Sequence, residues 1–184
     1  MRLRLWAAGV MGALAAGGSA AAAVSVIGGG MAQDCSKAAI AGKSDPGSIL
    51  ICSTALETED LDRIDRAGTF VNRGVMKLRR LAFEEARTDL DAAIALAPTI
   101  GEAWVNMGAV FLGEERFQSA LDDVDRGLRL GVKEPEKAWF NRGLAHEGLE
   151  DEKAAYFDYQ RAMALKPDWP LPRKELLRFT VSRR

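Results

Sequence analysis

Three asparagine side chains recur in one local sequence context, and their amides are well suited to binding chemistry. Each lies two positions after an aromatic residue and two positions before a glycine. The three stretches read Phe70-Val71-Asn72-Arg73-Gly74, Trp104-Val105-Asn106-Met107-Gly108 and Trp139-Phe140-Asn141-Arg142-Gly143. A side-chain amide both donates and accepts hydrogen bonds, so a row of amides can bind the backbone of an extended peptide whatever its sequence. The alternative interpretation is that each asparagine only fixes local chain geometry.

Residue types that support catalysis are scarce. The 184 residues include one histidine, His146, and two cysteines. They contain no HExxH motif, no nucleophile motif and no glycine-rich phosphate loop. The acidic pairs Glu84-Glu85 and Glu114-Glu115 suit solvated turns. We therefore expect a protein that is not an enzyme and that holds no metal and no cofactor.

Composition and charge fit one soluble domain of moderate size. Hydrophobic residues make up 48% of the chain and charged residues 28%, which is typical of a globular domain. The formal net charge is −1, which gives no electrostatic reason to expect nucleic acid as a partner.

The first 32 residues are typical of a secretory signal peptide. Arg2 and Arg4 precede a stretch, residues 5–33, that carries no charge and is rich in alanine and glycine. A basic start, an apolar run and small residues near the end are the features of such a signal. Gly30 and Ala32 would occupy the two small-residue positions before cleavage.

Cleavage there gives a mature chain that begins at Gln33, and the alanine run at residues 20–23 offers an earlier site. We therefore expect an exported, periplasmic protein. The alternative is an uncleaved segment that anchors the protein in the inner membrane, facing the periplasm, because more than eighteen uncharged residues can span a bilayer. A membrane partner is expected only in that second case.

The two cysteines, Cys35 and Cys52, follow this segment closely. An even pair in an exported chain is best read as one disulfide that closes a short loop. The alternative is a redox-active pair, but such pairs usually occur as Cys-x-x-Cys, and sixteen residues separate these two. A structural disulfide is favoured.

The aromatic residues of the three stretches lie 34 and 35 residues apart, and further residues keep the same register. Sixteen positions after the aromatic comes an alanine, three later an aspartate, and four beyond that a small residue. The matching sets are Ala86, Ala120 and Ala155; Asp89, Asp123 and Asp158; and Ala93, Gly127 and Ala162. Pro98 and Pro167 close the first and third units. Self-similarity at a fixed period predicts a repeat architecture.

This pattern resembles the tetratricopeptide repeat (TPR) family, and more narrowly exported bacterial members with a short segment that carries a cysteine pair. The departures are Gly127 in place of alanine and Val132 in place of proline. The resemblance implies an all-α, right-handed α-solenoid of helix-turn-helix units with capping helices at both ends. The implied divisions are a signal peptide (1–32), a disulfide-stapled half-repeat (33–60), three repeats within 61–169 (67–100, 101–135 and 136–169), and a capping helix with tail (170–184).

In that family the first helix of each repeat lines a concave groove. The resemblance carries this peptide-binding role to three slots in each repeat, occupied by Val71, Asn72, Val75, Val105, Asn106, Ala109, Phe140, Asn141 and Leu144. Most of these are apolar, and only Lys137 and Arg79 are basic near them. An apolar or helical ligand segment is therefore favoured over a C-terminal carboxylate.

Arg73 and Arg142 occupy equivalent positions, and each repeat carries an aspartate sixteen residues beyond that position. A structural guanidinium–carboxylate pair is one reading, either within one repeat or between neighbours. The other is that the arginines reach into the groove for an anionic ligand.

The function expected from these observations is a non-catalytic protein–protein interaction module, or adaptor, that binds a polypeptide segment outside the cytoplasm. Its partner would be a protein or peptide whose identity the fold does not specify. Two alternatives are a structural unit that stacks through its repeat ends and an adaptor tethered to the inner membrane.

Overall fold

The computed structural model describes residues 2–5, 20–26 and 30–182. Within these ranges the chain forms nine helices and two short strands. The helices are α1 (Met31–Ile40), α2 (Pro46–Thr58), α3 (Arg63–Arg79), α4 (Phe83–Leu96), α5 (Gly101–Gly113), α6 (Phe117–Leu130), α7 (Pro135–Gly148), α8 (Glu152–Leu165) and α9 (Pro170–Leu176). The strands are β1 (Arg2–Leu5) and β2 (Phe179–Ser182). The predicted all-α solenoid is confirmed.

Each predicted repeat contains one antiparallel helix pair: α3 with α4, α5 with α6, and α7 with α8. The third pair begins one residue before the predicted boundary and the first begins four residues before it. The early start of α3 has a local cause, because the carboxylate of Asp62 accepts hydrogen bonds from the backbone N–H groups of Ile64 and Asp65. Such an N-cap satisfies donors that the helix itself leaves unpaired.

The turn inside each pair repeats with its backbone geometry intact. Leu81, Glu115 and Glu150 all adopt left-handed conformations, with φ of 60°, 58° and 61°, and each lies eleven residues after its repeat's aromatic. The N–H of the following residue returns to a carbonyl five residues earlier in all three turns. This is the Schellman type of helix ending, whose left-handed residue is usually glycine.

Close approach of the paired helices depends on the glycines that recur at the same position in each repeat. A Cβ on Gly108 would lie 2.5 Å from Val124 Cγ2 and 3.0 Å from the carbonyl oxygen of Ala120, and one on Gly143 would lie 2.6 Å from Tyr159 Cε1. Real side chains essentially never approach this closely. Glycine lowers the intrinsic helix propensity at these positions, but it allows the two helices to pack tightly.

The N-terminal cap is stapled as the cysteines predicted. A disulfide joins Cys35 on α1 to Cys52 on α2, with the two Cα atoms 4.9 Å apart. Both cysteines are fully buried, and Cys52 Sγ lies 3.8 Å from Met76 Sδ on α3. The staple thus fixes the α1–α2 pair at the point where it packs on the first repeat.

The C-terminal end contains a short helix within the predicted capping segment 170–184, followed by a strand. The helix α9 begins at Pro170 because proline suits the first turn of a helix, where its missing N–H is not needed. Phe179 begins β2, which pairs antiparallel with β1 in the register Leu5 with Phe179. The sequence analysis did not predict this two-stranded pair.

Most of the proposed signal peptide, including residues 6–19 and 27–29, lies outside the described residues. Among the helices that the structure does describe, none has the length and apolarity needed to cross a membrane.

Candidate polypeptide-binding groove

The three recurring asparagines bind the chain's own segment 20–26, which runs along the concave face. Each amide Oδ1 accepts from a backbone N–H, and each Nδ2 donates to the carbonyl of that same residue. The pairs are Asn141 with Ala20 (2.8 and 3.0 Å), Asn106 with Ala22 (2.9 and 2.7 Å) and Asn72 with Val24 (2.8 and 2.8 Å). Six hydrogen bonds to backbone groups therefore come from three equivalent side chains.

The spacing of the bound residues matches the repeat. Residues 20, 22 and 24 alternate along the segment, and alternate residues of an extended chain present their backbone groups to the same side. Each repeat therefore corresponds to two residues of the segment, which span about 6.6 Å at the rise of an extended chain. The segment runs from the third repeat to the first, antiparallel to the order of the repeats.

Burial makes the loss of these hydrogen bonds energetically costly. The side chains of Asn72, Asn106 and Asn141 are fully buried. A buried amide with no partner costs roughly 1–3 kcal/mol by the measure of protein substitutions. A ligand that covers the three amides, as segment 20–26 does, must therefore pair them, and an extended backbone meets both the donor and the acceptor of each.

Two further side chains hold the segment outside the asparagine row. The ammonium of Lys137 donates to the carbonyl of Ala21 over 3.0 Å while also pairing with Glu134. The hydroxyl of Ser36 donates to the carbonyl of Val24 (2.8 Å) and accepts from the N–H of Val26 (3.2 Å). Because Ser36 follows Cys35 on α1, the stapled cap extends the groove beyond the first repeat.

The space around the segment admits small, uncharged side chains. All four alanines at 20–23 and Val26 are buried, whereas Ser25 is exposed. Ala23 belongs to the buried cluster that surrounds the disulfide. At Gly68 an added Cβ would lie 3.2 Å from Val26 Cγ2, so the absence of a side chain there makes room for valine.

Comparisons with known proteins identify the repeat. A family model described as tetratricopeptide repeat matches residues 136–168. The TPR domain of Arabidopsis OM64 covers 64% of this chain and 96% of that domain at 24% identity, with a TM-score of 0.59. Residues 136–168 therefore match one tetratricopeptide repeat, and the described chain shares the fold of TPR domains.

Two further TPR proteins are similar to this chain. The second TPR domain of human RPAP3, solved in complex with the HSP70 peptide SGPTIEEVD, covers 59% of this chain and 89% of that domain, with 21% identity and a TM-score of 0.52. The Hsp70-Hsp90 organizing protein of Triticum aestivum is 34% identical over 87 residues, which are 46% of this chain and 14% of that protein. The two solved structures establish a shared fold.

All nine residues predicted to line the TPR groove are buried, but they do not share one role. Besides the asparagines, Val71, Val75 and Ala109 belong to the buried cluster that includes Ala21, and Leu144 belongs to the one that includes Ala20. These four residues therefore share buried clusters with alanines of the bound segment.

Val105 and Phe140 also pack against residues outside the first helices of the repeats. A Cβ on Gly127 would lie 2.5 Å from Val105 Cγ2, which places Val105 against α6. The ring centroid of Phe140 lies 5.5 Å from that of Tyr159 and 5.1 Å from that of Trp169. The ring of Phe140 therefore takes part in the packing of the third repeat, within the buried cluster that also includes Ala20 and Leu144.

Ser36 and Gly68 were not predicted as groove residues, and Lys137 was considered only as a possible carboxylate ligand. Gly68 and Lys137 share one repeat position, two residues before the aromatic, so the repeat register could have identified both. Ser36 lies outside the repeats, and no periodic signal marks it. The segment 20–26 itself was read only as part of a signal peptide.

The arginine–aspartate pairs form within a repeat. Arg142 binds Asp158 through two hydrogen bonds, of 3.0 and 2.7 Å, and Arg73 binds Asp89 with the same two distances. Each arginine also reaches the preceding unit: Arg142 contacts Asp125 at 3.2 Å, and Arg73 donates to Ser53 at 2.9 Å. These guanidinium groups hold neighbouring helix pairs together.

The half-buried aromatic residues of the first and third repeats contact the same two arginines. The Arg142 guanidinium stacks 4.1 Å above the ring of Trp139. Trp104 and Trp139 are both half buried. Cation–π stacking of this kind contributes about 0.5–1 kcal/mol at exposed sites and more when shielded from water.

The middle repeat breaks the pattern, because Met107 replaces the arginine. Asp123, the counterpart of Asp89 and Asp158, has its pKa raised to about 6 by burial, with Arg126 only partly opposing that shift. Arg126 stacks instead on Trp104, 3.7 Å above its ring.

Proposed function

We propose that this protein is a non-catalytic interaction module whose concave TPR groove binds an extended polypeptide segment of a partner protein. The observation that carries the proposal is the row of Asn72, Asn106 and Asn141, each paired with both backbone groups of one residue. Backbone recognition of this kind requires no particular side chain in the ligand. The RPAP3 domain, solved with a peptide, shares the fold and supports a peptide ligand.

The proposed ligand is extended and uncharged, with small side chains at successive positions. An α-helix satisfies its own backbone groups, so it would leave the three buried amides without partners. The groove's basic side chain Lys137 is engaged by Glu134 and by the carbonyl of Ala21, so a carboxylate clamp has no support. These features favour an extended segment over the helical one also considered from the sequence.

A peptide with the sequence of residues 20–26, labelled and flanked by solubilising lysines, tests the proposal. The receptor is the full-length chain carrying Ala22→Pro, since proline removes the N–H that donates to Asn106. In the unaltered chain, Asn106→Ala would weaken the bound segment and the added peptide together, and the two effects would cancel.

In the Ala22→Pro background, Asn106→Ala should weaken peptide binding roughly tenfold, the effect of about 1.4 kcal/mol, because two hydrogen bonds to the peptide are lost. Gln118→Ala is the matched control, since that exposed amide on α6 bonds only Asp122 nearby in sequence. Equal affinity in the Asn106→Ala and Gln118→Ala proteins, both folded by circular dichroism, would show that the asparagine row is not the binding site.

We further propose that the protein acts outside the cytoplasm after removal of residues 1–32. Gln33 lies in the first turn of α1, where the carboxylate of Glu59 accepts hydrogen bonds from the N–H groups of Met31 and Ala32. Cleavage at this site therefore requires the first turn of α1 to be open, either before the cap folds or through local unfolding of the helix end. N-terminal sequencing of the mature protein should begin at Gln33, whereas an intact chain in the membrane fraction would favour the tethered adaptor.

A further inference from the structure

We propose that residues 20–26 are an intramolecular competitor that occupies the groove and excludes partner segments until it is displaced or removed. This inference rests on the proposed function, because it takes the groove as the partner site. The segment uses all three asparagine pairs, and it adds the hydrogen bonds from Lys137 and with Ser36. A partner segment that uses the asparagine row must therefore displace it.

The fit of the segment is that of a ligand. Ala22 is 1% exposed and lies between the outer pairs at Ala20 and Val24. Val24 and Val26 lie over Gly68, where a larger residue would crowd them. Complementary backbone and side-chain contacts over seven consecutive residues distinguish this segment from a chain that merely crosses a surface.

The tether gives the segment an advantage over free ligands. Only residues 27–29 separate it in sequence from Gly30, which precedes α1. A short tether gives an effective concentration in the millimolar range. A partner segment with the same intrinsic affinity would therefore need a millimolar concentration to occupy half of the grooves.

Proteolysis offers a direct way to open the groove. The cleavage proposed before Gln33 removes the whole segment, whereas Ser36 and the three asparagines remain in the chain. The intact and processed chains would then differ in partner binding although their repeats are the same. In the intact chain, an added ligand must compete with residues 20–26.

Amide hydrogen exchange on the unaltered full-length protein provides the first test. The N–H groups of Ala20, Ala22 and Val24 donate to asparagine oxygens, so their exchange should be at least tenfold slower than in a free peptide of this sequence. Ser25, which is exposed, should be less protected. Free-peptide exchange rates at all three donors would overturn the proposal.

Peptide binding provides the second test, with unaltered, Ala22→Pro and Ser25→Pro full-length chains. Ser25→Pro is the matched control because Ser25 is exposed and its N–H is not among the donors to the asparagine row. The labelled peptide of residues 20–26 should bind the Ala22→Pro chain at least tenfold more tightly than the other two.

The remaining outcomes separate this inference from the proposed function. Equal, Asn106-dependent binding to all three chains would overturn the competitor while leaving the groove as the partner site. Binding that ignores Asn106→Ala in the Ala22→Pro chain would overturn both, as would no binding to any of the chains. If Ala22→Pro fails to fold, the exchange experiment on the unaltered protein decides the matter.

Discussion

The guanidinium of Arg142 holds the carboxylate of Asp158 through two parallel hydrogen bonds across the helix pair of one repeat. The same side chain reaches Asp125 of the preceding repeat at 3.2 Å. Asp158 is buried, whereas the Asp125 side chain is 37% exposed. Because burial strengthens a charge pair and makes its loss costly, the two aspartates should contribute unequally to stability.

Asp158→Asn should lower the free energy of unfolding by about 1–3 kcal/mol, since it leaves Arg142 without its buried anionic partner. Asp125→Asn should cost no more than about 1 kcal/mol, the usual value for an exposed pair. Urea unfolding of the two variants at neutral pH makes the comparison. Equal losses would show that the contact within the repeat has no special weight.

Asp123 should give the middle repeat a distinct pH dependence. Its folded-state pKa is raised to about 6 by burial, above the ordinary value near 3.9 of an unfolded chain. Between these values the folded state binds more protons than the unfolded state, so its stability contribution falls as pH rises through this range. At neutral pH the ionised Asp123 therefore destabilises the fold.

Asp123→Asn should accordingly stabilise the protein at pH 7 and reduce the decline in stability between pH 4 and pH 6. Asp60→Asn is the control, since Asp60 is exposed and lies outside the middle repeat. Urea unfolding across this pH range gives both quantities. If the Asp123→Asn and unaltered proteins lose stability in parallel as pH rises, a different group is responsible.

Leu81 offers a test of the repeated turn geometry. Its φ of 60° is unfavourable for a side chain with a Cβ, by roughly 1–2 kcal/mol, and the residue is 64% exposed. Leu81→Gly should therefore raise the free energy of unfolding by about 0.5–1 kcal/mol, after the entropy cost of glycine in the unfolded chain.

Ala92, inside helix α4, is the control for that substitution, because a residue in a helix interior needs no glycine. Ala92→Gly should lower stability by about 0.5–1 kcal/mol. Thermal unfolding of the two single variants gives opposite shifts if the backbone conformation is the cause. Destabilisation by both would mean that the Leu81 side chain contributes more than its exposure indicates.

The repeat array could be predicted because helix packing imposes residue types at fixed spacing. Gly108 has no room for a Cβ beside Val124, and equivalent constraints recur in each unit, so the sequence records them periodically. The disulfide could be predicted from the presence of one cysteine pair in a chain expected to be exported. These features depend on local or repeated constraints.

The occupied groove could not be predicted in the same way. Alanine, glycine and valine suit a signal peptide and a small-residue groove ligand equally well, and Ala20 meets Asn141 across 121 positions of sequence. Phe140 shows a second limit, because a groove-facing repeat position did not reveal that its ring would pack against Trp169. The β1–β2 pair joins the two ends of the chain, which no local pattern relates.

The disulfide should stabilise both the fold and the bound segment. Closing a loop of this length contributes about 3 kcal/mol in the chain-entropy description. The double variant Cys35→Ala, Cys52→Ala should lose roughly that much in urea unfolding, and reduction of the unaltered protein should lose a similar amount. Alanine avoids placing a hydroxyl in the buried site. Little change on reduction, with both thiols shown free by mass spectrometry, would refute this stabilisation.

Loss of the staple should also loosen the segment unevenly. Val26 donates to Ser36 on α1, beside the disulfide, whereas Ala20 is held by Asn141 in the third repeat. In the double variant, amide exchange at Val26 should therefore accelerate more than at Ala20, because only the α1 end of the groove loses its support. Equal acceleration at both would mean that the segment leaves the groove as one unit. No acceleration at either would show that packing on the first repeat alone positions α1.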